Sequence, residues 1–564
     1  MTTWHYNNAR TGVQSAETVL TPSNVNSAQF GKLFSLPVIG DVYAQPLYLQ
    51  QYPMGDGQLH NVLIVATAED FVYAFDADGK NPSQGYLWRQ SLLGAGETWM
   101  SYTDANGDVD IKPNIGIIGT PVVDRGGGTI YVVAKSKTTS GTVVFRQRLH
   151  ALNIADGAEK LNGPTLIQAS IPGLGDGGTT ITFNAHIENQ RPALLLAPAP
   201  VGSGNAVFIG WASHGDFFAY HGWVIAYDAS NIANQVGVWN DTPNGKQGGI
   251  WMGGGGLSSD NSGNIFGASG NGTFDANTGG KDYGSSAFRL SFGSSGLGLA
   301  DYFTPPNEAS LSGADNDVGT SALALLPTQG GSFPHLGVTV DKSGTIYLLN
   351  RDHMGGFTSP GDAARQNFGD GGLSIHNSVA FFNNMLYLGV DGGPVKAWAF
   401  NPSTELFSTS PQSQSGGAFG CNGCNGSGST PSISANGAAN GIVWALNNYT
   451  YYNSTPVLHA YSAANLATEL YNSTQAANKR DAAAIAIKFT TPTIANGHVY
   501  VGGRNAVTAY GLLSNNSPLT ATPTFSPGSG TYATAQTVTI SDSTPNASIY
   551  YTTNGTTPST GSYL

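Results

Sequence analysis

Charged residues are scarce in this chain: they make up 10% of its 564 residues, against about 25% in an average soluble protein. Lysine and arginine together number only 23, and no basic cluster occurs. Because binding a phosphate backbone requires many such cations, we expect no nucleic-acid partner. No apolar run reaches the roughly 18 residues of a membrane-spanning helix, so we also expect no membrane span.

Cysteine is almost absent, with Cys421 and Cys424 the only two, in the sequence GCNGC. A redox Cys-x-x-Cys motif opens a helix in a βαβ unit, and no such unit is visible here. In an oxidising compartment the pair is better explained as a small disulfide within a glycine-rich loop. The low lysine content and abundant Gly, Asn, Ser and Thr indicate a secreted or cell-surface protein, from which we expect a leader peptide to have been removed.

The sequence is rich in glycine (76 residues) and in aromatic side chains, and 40% of its residues are hydrophobic, which is enough for a large core despite a net charge of -12. Helical periodicity is rare, whereas short Val, Ile, Tyr and Phe runs bounded by Gly, Asn or Asp recur throughout, which is typical of strands. One pattern of strand, polar turn and strand repeats eight times. The copies are Val62 to Asp76, Ile130 to Asn153, Val207 to Asp228, Ile265 to Leu290, Val338 to Asn350, Leu386 to Asn401, Ile442 to Ser462 and Val499 to Tyr510.

These repeats predict an all-β, eight-bladed β-propeller over residues 1–513. Each unit supplies about four strands and cannot bury both of its faces alone, so radial stacking around a central channel is the economical arrangement. A seven-bladed ring is the main alternative. The strand around Phe30 to Val38 precedes the first unit and is expected to complete the last blade. We expect the propeller to be a monomer.

The composition changes after Leu513, where residues 514–521 have the character of a linker. Residues 522–564 are rich in Thr, Ser and Pro and alternate like the edge of a β-sandwich. This segment resembles the immunoglobulin-like module found at the C-termini of chitobiases and other secreted carbohydrate-active proteins. The resemblance covers about 40 residues, short of a full sandwich, so we expect a partial module of a longer chain that serves as a spacer.

The repeats also resemble a known family. VYAFDADG and LHALNIADGAEK are similar to the Ala-x-Asp-x-x-x-Gly motif of propellers of the pyrroloquinoline quinone (PQQ) type, whose blades lock together through a Trp after the motif. Trp88 and Trp239 follow two of these motifs. The opening WHYNNARTG, followed by LTPSNV, is similar to the opening of quinoprotein alcohol dehydrogenases.

The resemblance implies a metal site. In SHGDFFAYHGWVIAYD, Asp216 stands where the dehydrogenases have a glutamate ligand and His221 where they have an arginine. ASGNGTFD offers Asn271 as the next ligand, and GADNDVG offers Asp315 and Asp317. Carboxylate and amide oxygens suit a hard cation, so this set implies bound calcium or a lanthanide.

The same comparison implies quinone contacts and catalytic roles. In DKSGTIYLLNRD, Lys342 and Arg351 match residues that face the quinone, and Trp251 lies close to the expected position of the ring that supports it. Asp315 would take the proton from a substrate hydroxyl, and Lys342 would polarise the quinone.

The resulting hypothesis is a secreted, metal- and quinone-dependent oxidoreductase that acts on an alcohol or a carbohydrate. One alternative is a quinone-free, metal-dependent polysaccharide lyase or hydrolase that uses Asp216, His221, Asp315 and Asp317. This alternative is suggested by His214, Asp216 and His221, three titratable groups that flank one turn, because imidazole and carboxylate groups can bind a metal or act as acid and base. The other alternative is a non-catalytic propeller that binds glycan or protein.

Overall fold

A computed structural model describes residues 1–81, 83–202, 204–217, 219–369, 374–420, 428–449, 451–513, 523–542, 549–555 and 558. The chain divides into two compact units, Met1–Gly511 and Leu512–Leu564. The predicted disulfide of Cys421 and Cys424 and the predicted linker 514–521 lie outside the described residues.

The first unit is an eight-bladed β-propeller, as predicted, and the four main strands of each of blades 1 to 7 pair antiparallel. From the innermost strand outwards, blade 1 comprises Leu47–Pro53, Leu59–Ala66, Phe71–Asp76 and Trp88–Ser91; blade 2, Val122–Asp124, Thr129–Thr138, Phe145–Asn153 and Thr165–Leu166; blade 3, Leu195–Pro198, Asn205–Trp211, Trp223–Asp228 and Gln235–Asn240; blade 4, Ser258–Ser259, Ile265–Ala268, Ala287–Gly293 and Gly296–Thr304. Blade 5 comprises Ala324–Leu325, Leu336–Val340, Thr345–Asn350 and Gln366–Gly369; blade 6, Ala380–Phe382, Met385–Gly389, Val395–Asn401 and Leu406–Phe407; blade 7, Ser432–Asn436, Ala439–Asn447, Val457–Ser462 and Asn465–Asn472; blade 8, Thr493–Ala495, His498–Leu512 and Phe30–Asp41.

Few elements lie outside this pattern. Short added strands are Val13–Gln14, Glu97–Ser101, Asn114–Ile115, Ser170–Pro172, Thr180–Thr182, Gly356–Phe357 and Ser413–Gln414. One α-helix, Glu308–Gly313, and the 3₁₀ turns Met252–Gly254, Ala276–Thr278, Val318–Thr320 and Ala477–Lys479 are the helical segments among the described residues. In the second unit, Thr524–Ser526 pairs with Thr539–Ser541. No helix in the described part of the chain is long and apolar enough to cross a membrane.

The repeat pattern corresponds to the two central strands of each blade. Val62 pairs with Asp76 in blade 1, and Val207 pairs with Tyr227 in blade 3. Their residues are buried on both sides because each blade is covered by its neighbours, which explains the nearly continuous apolar runs. The core is accordingly divided into clusters that join consecutive blades, such as Ile64 of blade 1 with Val132 of blade 2.

A tryptophan ties blade 1 to blade 2. The Trp88 indole N–H donates to the Ile154 carbonyl at 2.8 Å. Its ring covers Gly157, where an added Cβ would approach within 2.7 Å. Since Gly157 ends the Ala-x-Asp-x-x-x-Gly motif of the next blade, the glycine provides the space that this ring occupies.

Two segments from the start of the chain close the ring of blades. Phe30–Asp41 pairs with His498–Leu512, so the expected contribution to the last blade is confirmed. Residues 1–12 form what we call the N-terminal ring: they make one or more hydrogen bonds to the innermost strand of every blade. The bonds run from Tyr48 N to Met1 O, Val123 N to Thr2 O, Asn8 Nδ2 to Leu196 O, Ser259 N to Asn8 O, Leu325 N to Ala9 O, Phe381 N to Thr11 O, Ile433 N to Gly12 O and Ile494 N to Tyr6 Oη, all between 2.8 and 3.0 Å.

Arg10 anchors the N-terminal ring, and its guanidinium is fully buried. Its nitrogens donate to the carbonyl oxygens of Trp4 and Leu257 at 2.9 Å and to the Thr3 hydroxyl. The charge is therefore solvated by backbone dipoles.

Candidate functional site

A cavity of about 360 Å³ lies in the propeller unit where loops from several blades meet. Its wall includes Asp216, Trp251, Asp315 and Lys342. Asp216 and Lys342 lie in turns between the central strands of blades 3 and 5, and Trp251 and Asp315 lie in connections between blades. The volume is within the range of roughly 300–1,000 Å³ that is usual for small-molecule pockets.

Asp315 is held by two neighbours at the wall of this cavity. It accepts hydrogen bonds from Asn271 Nδ2 at 2.5 Å and from Lys342 Nζ at 2.6 Å. Its own backbone has a φ of 55°, in the left-handed region that Asp tolerates better than most residues. The side chain remains 62% exposed, so a ligand can reach its carboxylate.

Lys342 joins this group to a buried carboxylate. Its ammonium lies 2.8 Å from Asp317 Oδ1, and the Asp317 side chain is 1% exposed. Burial lowers the pKa of Lys342, but the carboxylates of Asp317 and Asp315 outweigh it and raise the pKa above its ordinary value. At neutral pH the lysine is therefore a cation between two carboxylates.

Trp251 completes the cluster with an aromatic surface. The Lys342 ammonium lies 5.1 Å from the centroid of its ring, within cation–π distance. The indole N–H donates to Asp317 Oδ2 at 3.3 Å. On another side the ring approaches His376, with centroids 5.9 Å apart, and His376 in turn bonds Asp391 Oδ2 at 2.6 Å.

Asp216 lines the same cavity from a strained turn in which both it and Gly215 have a φ of 55°. It accepts a hydrogen bond from the Tyr220 hydroxyl. Burial raises its pKa, Tyr220 and Lys342 oppose the rise, and the nearby charges of Asp315 and Asp317 add to it. A cation bound beside Asp216 would relieve this accumulation of negative charge.

One oxygen of the predicted ligand set is free to bind a cation, whereas Asp315 and Asp317 both pair with Lys342. The amide oxygen of Asn271 is buried and has no hydrogen-bond partner, which leaves an oxygen ligand in place next to Asp315. In the described part of the chain no three His, Cys, Asp or Glu side chains by themselves form a metal-binding group. The metal-ligand roles of Asp216, Asn271, Asp315 and Asp317 therefore stay predictions.

Two residues assigned to the site from sequence face other neighbours. The ring of His221 bonds the carbonyl and hydroxyl oxygens of Thr242 and lies 3.4 Å from Asp176. Arg351 donates to the Leu336 carbonyl and lies 3.8 Å from Asp260. Neither is part of the cavity wall.

The sequence reasoning missed Arg191, Asn189 and Asp108, which also line the cavity. Arg191 is 5% exposed and its guanidinium lies 4.8 Å from the centroid of the Phe489 ring. Burial, followed by the charge of Asp110, raises the pKa of Asp108 to about 6. Arg191, Trp251 and His376 each precede the innermost strand of a blade, and all three line the cavity. This shared position is the sequence signal that could have indicated Arg191 as a cavity residue.

Three similarities place the chain among known proteins. Residues 527–564 match the family of the chitobiase/beta-hexosaminidase C-terminal domain. An endoglucanase of Clostridium saccharobutylicum is 53% identical over 49 residues, which are 9% of this chain and 11% of that enzyme. The crystal structure of quinohemoprotein alcohol dehydrogenase from Comamonas testosteroni has a TM-score of 0.55 at 15% identity, over 93% of this chain and 82% of the dehydrogenase.

A weaker structural similarity is to Saccharomyces cerevisiae Sqt1, with a TM-score of 0.48 and 11% identity over 86% of this chain and 99% of Sqt1. At these identities the likeness concerns the fold. The chain thus combines an eight-bladed propeller, similar in fold to that dehydrogenase, with a segment that matches the chitobiase/beta-hexosaminidase C-terminal domain family.

Proposed function

We propose that the propeller is a quinone- and metal-dependent oxidoreductase that acts on an alcohol or a carbohydrate. The observation that carries the proposal is the exposed Asp315 carboxylate, held by Lys342 and Asn271 at a cavity with the Trp251 ring in its wall. A bound quinone supplies a hydride acceptor, and a hard cation polarises its carbonyl.

The chain's own residues have defined roles in this proposal. Asp315 accepts the proton of the substrate hydroxyl as a general base. Lys342 orients that carboxylate, and the Asn271 and Asp216 oxygens hold the cation with Asp317 as an added ligand. Trp251 offers a flat apolar surface against which a planar ring can pack.

A secreted or cell-surface location is part of the proposal. It is supported by the C-terminal segment, whose family is named for the carbohydrate-active chitobiases and hexosaminidases, and by the endoglucanase match. A substrate bearing several hydroxyl groups would suit such a setting.

The proposal is tested by reconstituting the purified chain with PQQ and either Ca²⁺ or La³⁺. We expect a quinone absorbance that survives gel filtration and dye-linked oxidation of members of a panel of alcohols and sugars. Asp315→Asn should retain the quinone but reduce kcat by about 10²–10⁴-fold, the usual contribution of a general base.

The matched control is Asp352→Asn, which removes an exposed carboxylate paired with His335 at the surface and should leave turnover unchanged. Failure to retain quinone with either metal would refute the proposal. Release of unsaturated or reducing sugar ends from polysaccharides would then identify a lyase or hydrolase.

A further inference from the structure

Arg191 is a buried cation without an ion-pair partner among the described residues; Asp110, in the same cavity wall, pairs with Lys488 instead. Its Nη1 donates to the Ile118 carbonyl at 3.3 Å, and its Nη2 is buried without a hydrogen-bond partner. No carboxylate among the described residues forms an ion pair with it. A guanidinium keeps its charge even when buried, so the unused donors call for an acceptor that the chain itself does not supply.

The surroundings of Arg191 are shaped to hold this guanidinium at the cavity wall. Phe489 packs against it, with the ring centroid 4.8 Å from Cζ. Gly254, with a φ of 84°, leaves the space that Nη2 occupies, since an added Cβ there would come within 2.3 Å of it. The guanidinium is thus positioned before any ligand arrives.

A second unsatisfied group lines the same cavity two residues earlier. Asn189 is 5% exposed, and its side-chain oxygen is buried without a hydrogen-bond partner. Because the two ends of an amide can be exchanged by rotation, Asn189 can present either an acceptor or a donor to a ligand.

We infer that Arg191 and Asn189 form a binding subsite for an organic carboxylate in the cavity. The planar fork of arginine matches a carboxylate. The carboxylates of Asp108, Asp110, Asp216 and Asp315 lie in the same wall and repel anions, so the acceptor must contact the Arg191 fork directly.

The carboxylate has two chemical sources. A tricarboxylic quinone would present one as part of a bound cofactor, and a sugar acid would present one as part of a substrate. The subsite goes beyond the proposed function, because a carboxylate can bind Arg191 whether or not the cavity catalyses oxidation.

The test is calorimetric titration of the full chain with two matched pairs of probes: PQQ with its trimethyl ester, and glucuronate with glucose. We expect at least one acid to bind more tightly than its neutral partner. Arg191→Met should weaken the affinity for that acid by roughly thirtyfold or more and leave the affinity for the neutral partner unchanged. Loss for PQQ alone identifies the cofactor as the source, and loss for glucuronate identifies the substrate.

Arg191→Lys keeps the charge without the fork, so it should fold and retain an intermediate affinity even if Arg191→Met does not fold. Arg125→Met, which removes an exposed arginine bonded to the Gln50 carbonyl, is the control and should change no affinity. Three outcomes would refute the subsite. Neither acid binds the wild-type chain at roughly 10 mM, or the Arg191→Lys variant binds the acid as tightly as wild type does. The third outcome is that inorganic phosphate binds the wild-type chain more tightly than both acids do. Binding of PQQ without turnover would refute the oxidoreductase and keep the subsite.

Discussion

At the scale of single residues, the wall of the cavity contains buried charges, some of which pair with each other. Lys342 is the centre of this pairing, since its ammonium contacts both the exposed Asp315 and the buried Asp317. Arg191 and Asp108 line the same cavity, Arg191 without an ion-pair partner among the described residues. Ligand-binding sites commonly contain buried titratable groups of this kind, whose pKa values are shifted by burial and by neighbouring charges.

Lys342→Met should destabilise the propeller by about 3–5 kcal/mol, because it leaves buried Asp317 without its cation. The native pKa of Lys342 is raised, so its stabilisation is fully present below the unfolded pKa of about 10.4 and is lost as the pH rises through the native pKa. Urea unfolding at pH 7 and in alkaline buffer measures both effects. The exposed Lys80→Met should behave like wild type, and an equal loss in the two variants would contradict the expectation.

Asp108→Asn should stabilise the protein at pH 7.5 by about 1–2 kcal/mol. The native pKa of Asp108 is raised to about 6, so the native state loses stability as the pH rises from about 4 through 6, where the unfolded carboxyl has already ionised. The asparagine removes that loss, and the two proteins should have the same stability below about pH 4. Calorimetric melting temperatures at both pH values test this, and a destabilised variant at pH 7.5 would show that the Asp108 charge is compensated.

At the scale of structural elements, the blades are joined by side chains that reach from one sheet into the turn of the next. Trp88 is the clearest case, with its ring over Gly157 and its N–H on Ile154. Trp239, which follows another copy of the motif, packs on Phe288 of blade 4 with ring centroids 4.7 Å apart.

Trp88→Ala should cost about 3–5 kcal/mol, the usual effect of emptying a large aromatic site. Trp88→Phe keeps most of the ring and loses the hydrogen bond, so it should cost about 1 kcal/mol. Hydrogen exchange of the backbone amides in blades 1 and 2 measures where the loss occurs. Uniform loss of protection over all eight blades would contradict a local role for this tryptophan.

The sequence was most informative where contacts are local. The paired central strands of a blade lie within one repeat, as Val62 and Asp76 do, and their apolar runs made both fold and blade number predictable. Asn271, Asp315 and Lys342 were expected in one site because their motifs follow the order of a known family, and the three side chains do lie together, while their roles stay predictions. The place of Arg191 in the cavity wall could not be predicted. Its contacts are with Ile118 and Phe489, which are far from it in the sequence and belong to other repeats.

At the scale of the whole molecule, the N-terminal ring links all eight blades through a single segment. Arg10 holds that segment with hydrogen bonds to the carbonyls of Leu257 and Leu194, far along the chain. The propeller is thus tied together both between neighbouring blades and across its centre.

Arg10→Met should destabilise the propeller by about 3 kcal/mol or more, because several buried acceptors lose a charged donor at once. It should also make residues 1–12 susceptible to limited proteolysis while the blades stay resistant. Mass spectrometry of the early fragments distinguishes these regions. The exposed Arg125→Met is the control, and cleavage within the blades before the N-terminal segment would contradict the expected order.

The N-terminal ring also constrains when the molecule can mature during synthesis. Residues 1–12 leave the ribosome before any blade, yet their partner Ile494 belongs to the eighth blade and is translated last among the partners. The partners of residues 1–12 therefore become available one blade at a time, from Tyr48 in blade 1 to Ile494 in blade 8. The hydrogen bond to Ile494 can form only after the eighth blade has been synthesised, so residues 1–12 reach their full set of partners only in the complete propeller.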